Sequence, residues 1–286
     1  MPINYEKLLG LRVPDVTQTY SERDAILYAL GLGLGRDPMD EDELAFVYER
    51  NFKLMPTFAT VLAWPGFWVR DLDTGIDWVK VVAGEQGLVL HRPLDARGTV
   101  VGHTRVTEVI DKGVGRGAQV YSTRELFDHA TGEKLATITA TTICRGDGGF
   151  GGPQRASPPA QQIPARPPDL ACDRATRPEA ALIYRLSGDP NPLHADPAVA
   201  RAAGFPRPIL HGLATFGIAC HAILKSLCGH DPSRLKSISG RYSAPVFPGE
   251  TIRTEIWRDG AVASFRARVV ERDVVALDHG RCELVV

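Results

Sequence analysis

Apolar and polar residues follow two rhythms along this chain, and the same order of rhythms occurs twice. From Ser21, "SERDAILYALG" places apolar residues at helical spacing behind a capping serine, which predicts a helix. "FVYERNFKLMPTFATVLAW" follows as a long apolar segment. After Pro93 the period falls to two, and "TVVGHTRVTEVI", "GAQVYSTRELFD" and "KLATITATTIC" read as strands. The cycle then restarts. "RPEAALIYRLSG" is helical, and "HGLATFGIACHAILKSLC" predicts a longer helix with Leu213, Phe216, Cys220, Ile223 and Leu227 along one face. "SISGRYSAPV", "ETIRTEIWRD", "AVASFRARVVER" and "VVALDHGRCELVV" then read as strands.

Between the cycles lies "GDGGFGGPQRASPPAQQIPARPPDL", too rich in Gly, Pro, Ala and Gln to build a core. It reads as a linker over 146–170, separating a unit of 1–145 from one of 171–286. The two units overlay. "YALG" at Tyr28 falls on "YRLSG" at Tyr184, and "MPTFATVLA" at Met55 falls on "HGLATFGIA" at His211, by the same interval. Pro93 meets Pro245 at nearly that interval. Three matches in order point to internal duplication of an α+β unit. In the overlay Asp189 stands opposite Gly33, and His194 opposite Pro38. Only the second unit keeps both titratable residues, and the first is left to provide shape, such as room for a bulky substrate.

Composition narrows the function classes. The 286 residues are 44% hydrophobic, enough for a substantial core. Basic and acidic residues nearly cancel, 33 against 34, so charge gives no case for nucleic acid or an anionic membrane. No run approaches the roughly 20 apolar residues of a membrane span. The first residues lack the apolar stretch of a secretory leader, and the last, "CELVV", lack a peroxisomal address. The five cysteines, at 144, 172, 220, 228 and 282, are odd in number and form no CxxC pair. Free thiols in a reducing cytoplasm explain them best.

The candidate chemistry lies in "YRLSGDPNPLHADP", residues 184–197. Gly188 permits a tight turn, and Pro190, Pro192 and Pro197 remove backbone freedom. Asp189 and His194 in such a loop are held in place before any reaction begins. Brought to one spot, they can grip a water, one group taking its proton and the other returning a proton to a substrate. The same residues also serve ordinary turn chemistry, with Asp and Asn capping local amides. His194 could instead cap the helix in "DPAVARAAG", although Asp196 is the better cap. Downstream, "PRPILHGLATFG" leads a braced turn into the long apolar helix. His211 and Gly212 lie at its start, where the first amides have no internal partner and the helix dipole is positive. Gly212 leaves the approach open, as an oxyanion site requires. A glycine tolerated for tight packing accounts for it equally well.

"YRLSGDPNPLH" with "GFPRPILHGLATFG" resembles the signature of the MaoC-like, hydratase 2 enzymes, the (R)-specific 2-enoyl-CoA hydratases. "YALGLG", "LAFVYERNFKLMPTFATVLA", "VIDKG", "GGFGG" and "SAPVFPGET" extend the likeness to the longer, two-repeat members. The resemblance implies a double hot-dog fold, each repeat wrapping an antiparallel sheet around a central helix. It implies that Asp189 and His194 are the acid/base pair, that Asn191 helps place the water, and that the Gly212 amide holds the thioester oxygen. Glu49, in "FVYER", occupies a matching place in the first repeat and would support the site from there. The expected reaction is hydration of a trans-2-enoyl-CoA to the (3R)-hydroxyacyl-CoA by a homodimer. No metal or redox cofactor is expected, since the thioester is itself the electron sink and CoA belongs to the substrate. Rival readings are a dehydratase of acyl-carrier-protein or steroid-side-chain CoA thioesters, and an acyl-CoA-binding partner without catalysis.

Other signals carry less. "GLGLG" at 31–35 follows a helix and lacks dinucleotide-loop spacing. "DKGVGRG" reads as a hairpin turn in which Lys112 could meet CoA phosphates. "GGFGG", with Phe150, fits the CoA moiety or plain linker equally. His211 is a further substrate-binding candidate. "WPGFW" at 64–68 suits core or substrate-tunnel wall. The histidines form no HExxH, and no GxSxG is present.

Overall fold

The computed structural model describes residues 2–285. Its strands are β1 (Val16–Tyr20), β2 (Val81–Leu90), β3 (Gly98–Asp111), β4 (Ala118–Asp128), β5 (Lys134–Cys144), β6 (Leu170–Ala175), β7 (Leu235–Tyr242), β8 (Thr251–Asp259), β9 (Val262–Val269) and β10 (Val274–Leu284). Its helices are α1 (Tyr5–Leu9), α2 (Glu22–Gly31), α3 (Glu41–Leu44), α4 (Trp68–Asp71), α5 (Ala180–Tyr184), α6 (Pro197–Ala202) and α7 (Gly212–Cys228). None is long and apolar enough to cross a membrane.

All ten strands join one antiparallel sheet in the order β1-β3-β4-β5-β2-β7-β10-β9-β8-β6. The first five come from the first half of the chain and the last five from the second. The seam is β2 against β7, in register from Glu85 opposite Arg241 to Val89 opposite Ser237. Arg241 Nε donates to Glu85 Oε1 across it at 2.8 Å. The alternating sequence did not reveal β2, because Gly84 and Gly87 interrupt its pattern. A Cβ at Gly87 would stand 2.4 Å from Thr139 Oγ1, and one at Gly84 2.8 Å from the Ile143 side chain. Close strand approach therefore requires both glycines.

The second half wraps α7. The expected one-sided stripe is in fact burial all round: every residue from Ala214 to Leu224 is buried, including Thr215 and His221. The first half differs from the expected pattern. Where the overlay puts a central helix it has only a 3-10 turn, Pro56–Thr60. Pro65 forces Trp64 out of the helical region, and the β-branched Thr57, Thr60 and Val61 weaken what remains. The overlay still pairs true equivalents. Met55 and His211 each stand just before their central element. The rings of Tyr28 and Tyr184 face one another at 5.6 Å, joining α2 to α5 in the common core.

The segment after β5 is tied down at several points. Asp111 receives the N–H groups of Gly149 (2.7 Å), Gly151 (2.9 Å) and Gly113 (2.8 Å). Burial pushes its carboxyl up, but these donors outweigh burial and hold it below the usual range. "VIDKG" and "GGFGG" are thus two halves of one fastening. Further along, Gln161 Nε2 donates to Ser264 Oγ at 2.9 Å, and His279 Nδ1 lies 2.8 Å from Gln161 O.

Candidate active site

The loop after α5 is built from turns. A 3-10 turn over Arg185–Ser187 ends at Gly188, whose φ of 118° suits glycine. Asp189 Oδ1 accepts the N–H of Asn191 at 3.2 Å, and Asn191 Oδ1 accepts that of Leu193 at 3.0 Å. The turn chemistry anticipated for these residues is therefore present, and Asn191, which is exposed, uses its carbonyl in it. A second 3-10 turn, Pro192–His194, swings the imidazole inward, where it is 8% exposed. Asp196, not His194, caps α6, accepting from Ala198 at 2.7 Å.

His194 Nδ1 lies 2.9 Å from the carbonyl of Ile209. A carbonyl only accepts, so Nδ1 carries the proton and Nε2 of the neutral ring keeps a bare lone pair. Burial lowers the His194 pKa, against the opposing pull of the Ile209 carbonyl and the Asp189 charge. The ring is therefore a base near neutrality. Its face stacks on His211 at 3.7 Å between centroids and 25° between planes. The carboxylate of Asp189 and the ring nitrogens of His194 and His211 offer atoms within 4.8 Å of one another. Two hydrogen bonds of about 2.8 Å through one water span such a gap.

Behind this pair lies the start of α7. Gly212 is its first residue, so its N–H has no partner inside the helix. A Cβ there would meet the Tyr242 ring at 3.1 Å, so glycine is what lets that ring and the helix tip come together. Beside Gly188 a cleft of about 190 Å³ opens between the halves, walled by Leu27, Phe58, Val61, Trp64 and Leu186. The aromatic run 64–68 is thus divided: Trp64 lines this cleft, while Trp68 is buried in a second core with Ile3, Leu8 and Val109.

The structure brings Asp189, Asn191, His194, His211 and Gly212 together. It does not bring the other candidates to them. Lys112 Nζ lies 3.0 Å from Ser157 Oγ, holding the linker. Phe150 packs on the second core, which contains no residue of 184–212. Glu49 is exposed beyond α3. The acid that this region buries is Glu43, 2% exposed, paired with Arg174 of β6. Around the first half's counterpart loop, Arg36, Asp37, Asp40, Glu43, Arg174 and Lys225 line a charged hollow, with no Asp–His pair. The sequence reading overlooked the Ile209 carbonyl, which sets the His194 tautomer, and Tyr242, which flanks Gly212. A backbone acceptor has no sequence signature. Tyr242 stands in "GRYSAPVFPGE" with nothing to mark it.

With this geometry in hand, comparisons decide the family. Residues 18–146 match the MFE-2 hydratase 2 N-terminal domain, and residues 159–279 match the MaoC like domain. The chain is 39% identical to a peroxisomal enoyl-CoA hydratase 2 of Arabidopsis thaliana, over 96% of this chain and 93% of that one. The chain belongs to the MaoC-like, hydratase 2 family. A crystal structure of a MaoC-like dehydratase from Phytophthora capsici superposes on this hydratase 2 family chain with a TM-score of 0.88. The two are 35% identical, with 99% of this chain and 98% of that one covered. A Mycobacterium tuberculosis protein described as a double hotdog fold shares the fold alone, at 17% identity and a TM-score of 0.58, over 99% of this chain and 98% of that one. The ten-stranded sheet of this hydratase 2 family member is that double hot-dog, one half wrapped on α7 and the other on the Pro56–Thr60 turn.

Proposed function

We propose that the chain hydrates trans-2-enoyl-CoA to (3R)-3-hydroxyacyl-CoA, reversibly, as a homodimer in a reducing compartment such as the cytoplasm. One observation carries the reaction. The Asp189 carboxylate and a ring nitrogen of His194 lie within 4.8 Å of one another, the Ile209 carbonyl leaves Nε2 of the neutral ring bare, and the first residue of α7 follows His211 of the same cluster.

The thioester withdraws electrons from C3 of the substrate. Water held between Asp189 and His194 loses a proton to the pair as its oxygen bonds to C3. The electrons move through C2 to the thioester oxygen, where the Gly212 N–H steadies the negative charge. A proton returned to C2 from the same face completes the addition, and the pair ends as it began. Asn191 steadies the loop through Leu193. The Arabidopsis relative, named enoyl-CoA hydratase 2, supports this substrate class. The cleft walled by Leu27, Phe58, Val61 and Trp64 supports a role for the first half in receiving the acyl group. Free cysteines support the reducing compartment. The homodimer rests on the family resemblance.

The test is loss of the enoyl thioester absorbance with crotonyl-CoA and decenoyl-CoA, followed by chiral analysis of the product. Asp189→Asn and His194→Gln should each lower kcat by about 100-fold or more. An (S) product, or full turnover in either variant, refutes the reading.

A further inference from the structure

We propose that His211 is the positioning residue of this site, a side chain that touches no reacting atom but locks the loop, the base and the oxyanion amide into one unit. This rests on the hydratase reading above. His211 is 1% exposed and precedes the first residue of α7. Its Nε2 lies 3.3 Å from the backbone carbonyl of Asp189, so the N–H there donates to the loop. Its ring face stacks on His194 at 3.7 Å. Its own carbonyl accepts the N–H groups of Ala214 (3.1 Å) and Thr215 (3.2 Å), fixing the helix start that presents Gly212. The ring also lies 4.9 Å from that of Tyr184, tilted to it, and Tyr184 in turn lies 5.6 Å from Tyr28 of the first half.

Histidine combines a stacking ring with a ring N–H donor. Phenylalanine stacks but has no N–H, and glutamine has the N–H but no ring. The ring must also stay uncharged beside His194. Burial, then the neighbouring His194, lower its pKa to about 3, with Arg185 adding to the effect and the Asp189 carbonyl opposing it. The groups facing it are Asp189 and His194 from the loop, Tyr184 and Arg185 from α5 and the turn after it, and Tyr242, whose ring lies on Gly212. The duplication offers an internal control. The first half has Gly33 and Pro38 in place of the pair, and at the position of His211 it has Met55.

Two measurements test this. Long-range 1H–15N spectra of the wild-type protein should show His211 as the Nε2–H tautomer and His194 as the Nδ1–H tautomer. The opposite tautomer at His211 overturns the proposal whatever the variants do. His211→Phe and His211→Gln should each lower kcat by about 10- to 100-fold, the scale of a misplaced catalytic group, with KM within about 3-fold. In His211→Ala, water reaches His194, and the acidic limb of the kcat/KM profile should move up toward pH 6.5, the ordinary histidine value. Unchanged kcat in the Phe and Gln variants, or a raised KM at unchanged kcat, overturns it. Wild-type protein that hydrates no enoyl thioester would sink the functional reading instead, and the tautomers would still judge His211.

Discussion

Acidification should destabilise this protein through its buried imidazoles, before its carboxylates matter. His221 lies in the middle of α7, 0% exposed, with both ring nitrogens unpartnered. Burial holds its pKa well below the ordinary value of 6.5, and the nearby Arg174, His230 and Lys225 add to this. His211 is pressed down to about 3. Both rings are neutral in the folded chain, while in the unfolded chain they protonate near pH 6.5. Below 6.5 the unfolded state binds protons that the folded state refuses, so stability falls as pH falls. Each ring costs about 1.4 kcal/mol per pH unit from 6.5 down to its folded pKa. At pH 5 that is about 2 kcal/mol for His211, with His221 acting in the same direction, against a typical total of about 5–15. Carboxylates such as Asp169, held near 2 by Arg166 and the Arg258 N–H, lose their contribution only below about pH 4. Urea titrations followed by circular dichroism at pH 7.5, 6.5, 5.5 and 5.0 measure the slope. His221→Leu removes one such ring, so its slope should shrink by about 1.4 kcal/mol per unit. At pH 7.5 the variant should be no less stable, since it deletes two unpartnered polar atoms. Constant stability from pH 7.5 to 5, or an unchanged slope in His221→Leu, refutes the argument.

Two further outcomes follow from the geometry. Gly212→Pro deletes the proposed oxyanion donor where a helix tolerates proline, after a His211 whose ψ of 137° suits that position. Helix content should persist while kcat falls by about 100- to 1,000-fold. Gly212→Ala, which only crowds Tyr242, should lose less, and wild-type turnover in the proline variant excludes the amide from the chemistry. Glu43→Ala strands Arg174 beside Lys225 and should cost about 3–5 kcal/mol in urea unfolding, with activity per folded molecule intact at 25 °C. An unchanged midpoint would show that the pair between the halves carries no stability.

Much of this architecture was readable from residue order, because the duplication repeats strong periodic signals. Ser21 stands at the N-cap of α2, as expected, and a capping box to Asp24 adds to it. β3, β4 and β5 lie where period two placed them. The seam strand β2 was invisible because its close approach to β5 requires glycines, which erase the pattern. The short central turn of the first half was also hidden, because apolar content alone does not separate a helix from a buried irregular segment. At the site, Asp189, His194 and Gly212 stood out through their proline- and glycine-rich settings. What orients them did not stand out: a carbonyl at Ile209, the stacking of His211 on His194 (His211 itself reads from sequence as a substrate-binding candidate) and a tyrosine from a distant strand. Those contacts belong to tertiary geometry, and no local spacing encodes them. Lys112 and Phe150 were drawn toward substrate by suggestive turns, yet fastening the chain between the halves also needs a cation and an aromatic ring.

The half that has Gly33 and Pro38 in place of the Asp and His supplies one wall of the cleft beside Gly188. Leu27, Phe58, Val61 and Trp64 all come from it, while Asp189 and His194 stand in the other half. On the proposed function, the duplication separates two evolutionary tasks. Mutation can resculpt one copy to admit longer, branched or bulkier guests while the other conserves its reactive machinery, and a lineage can change its diet without relearning its chemistry.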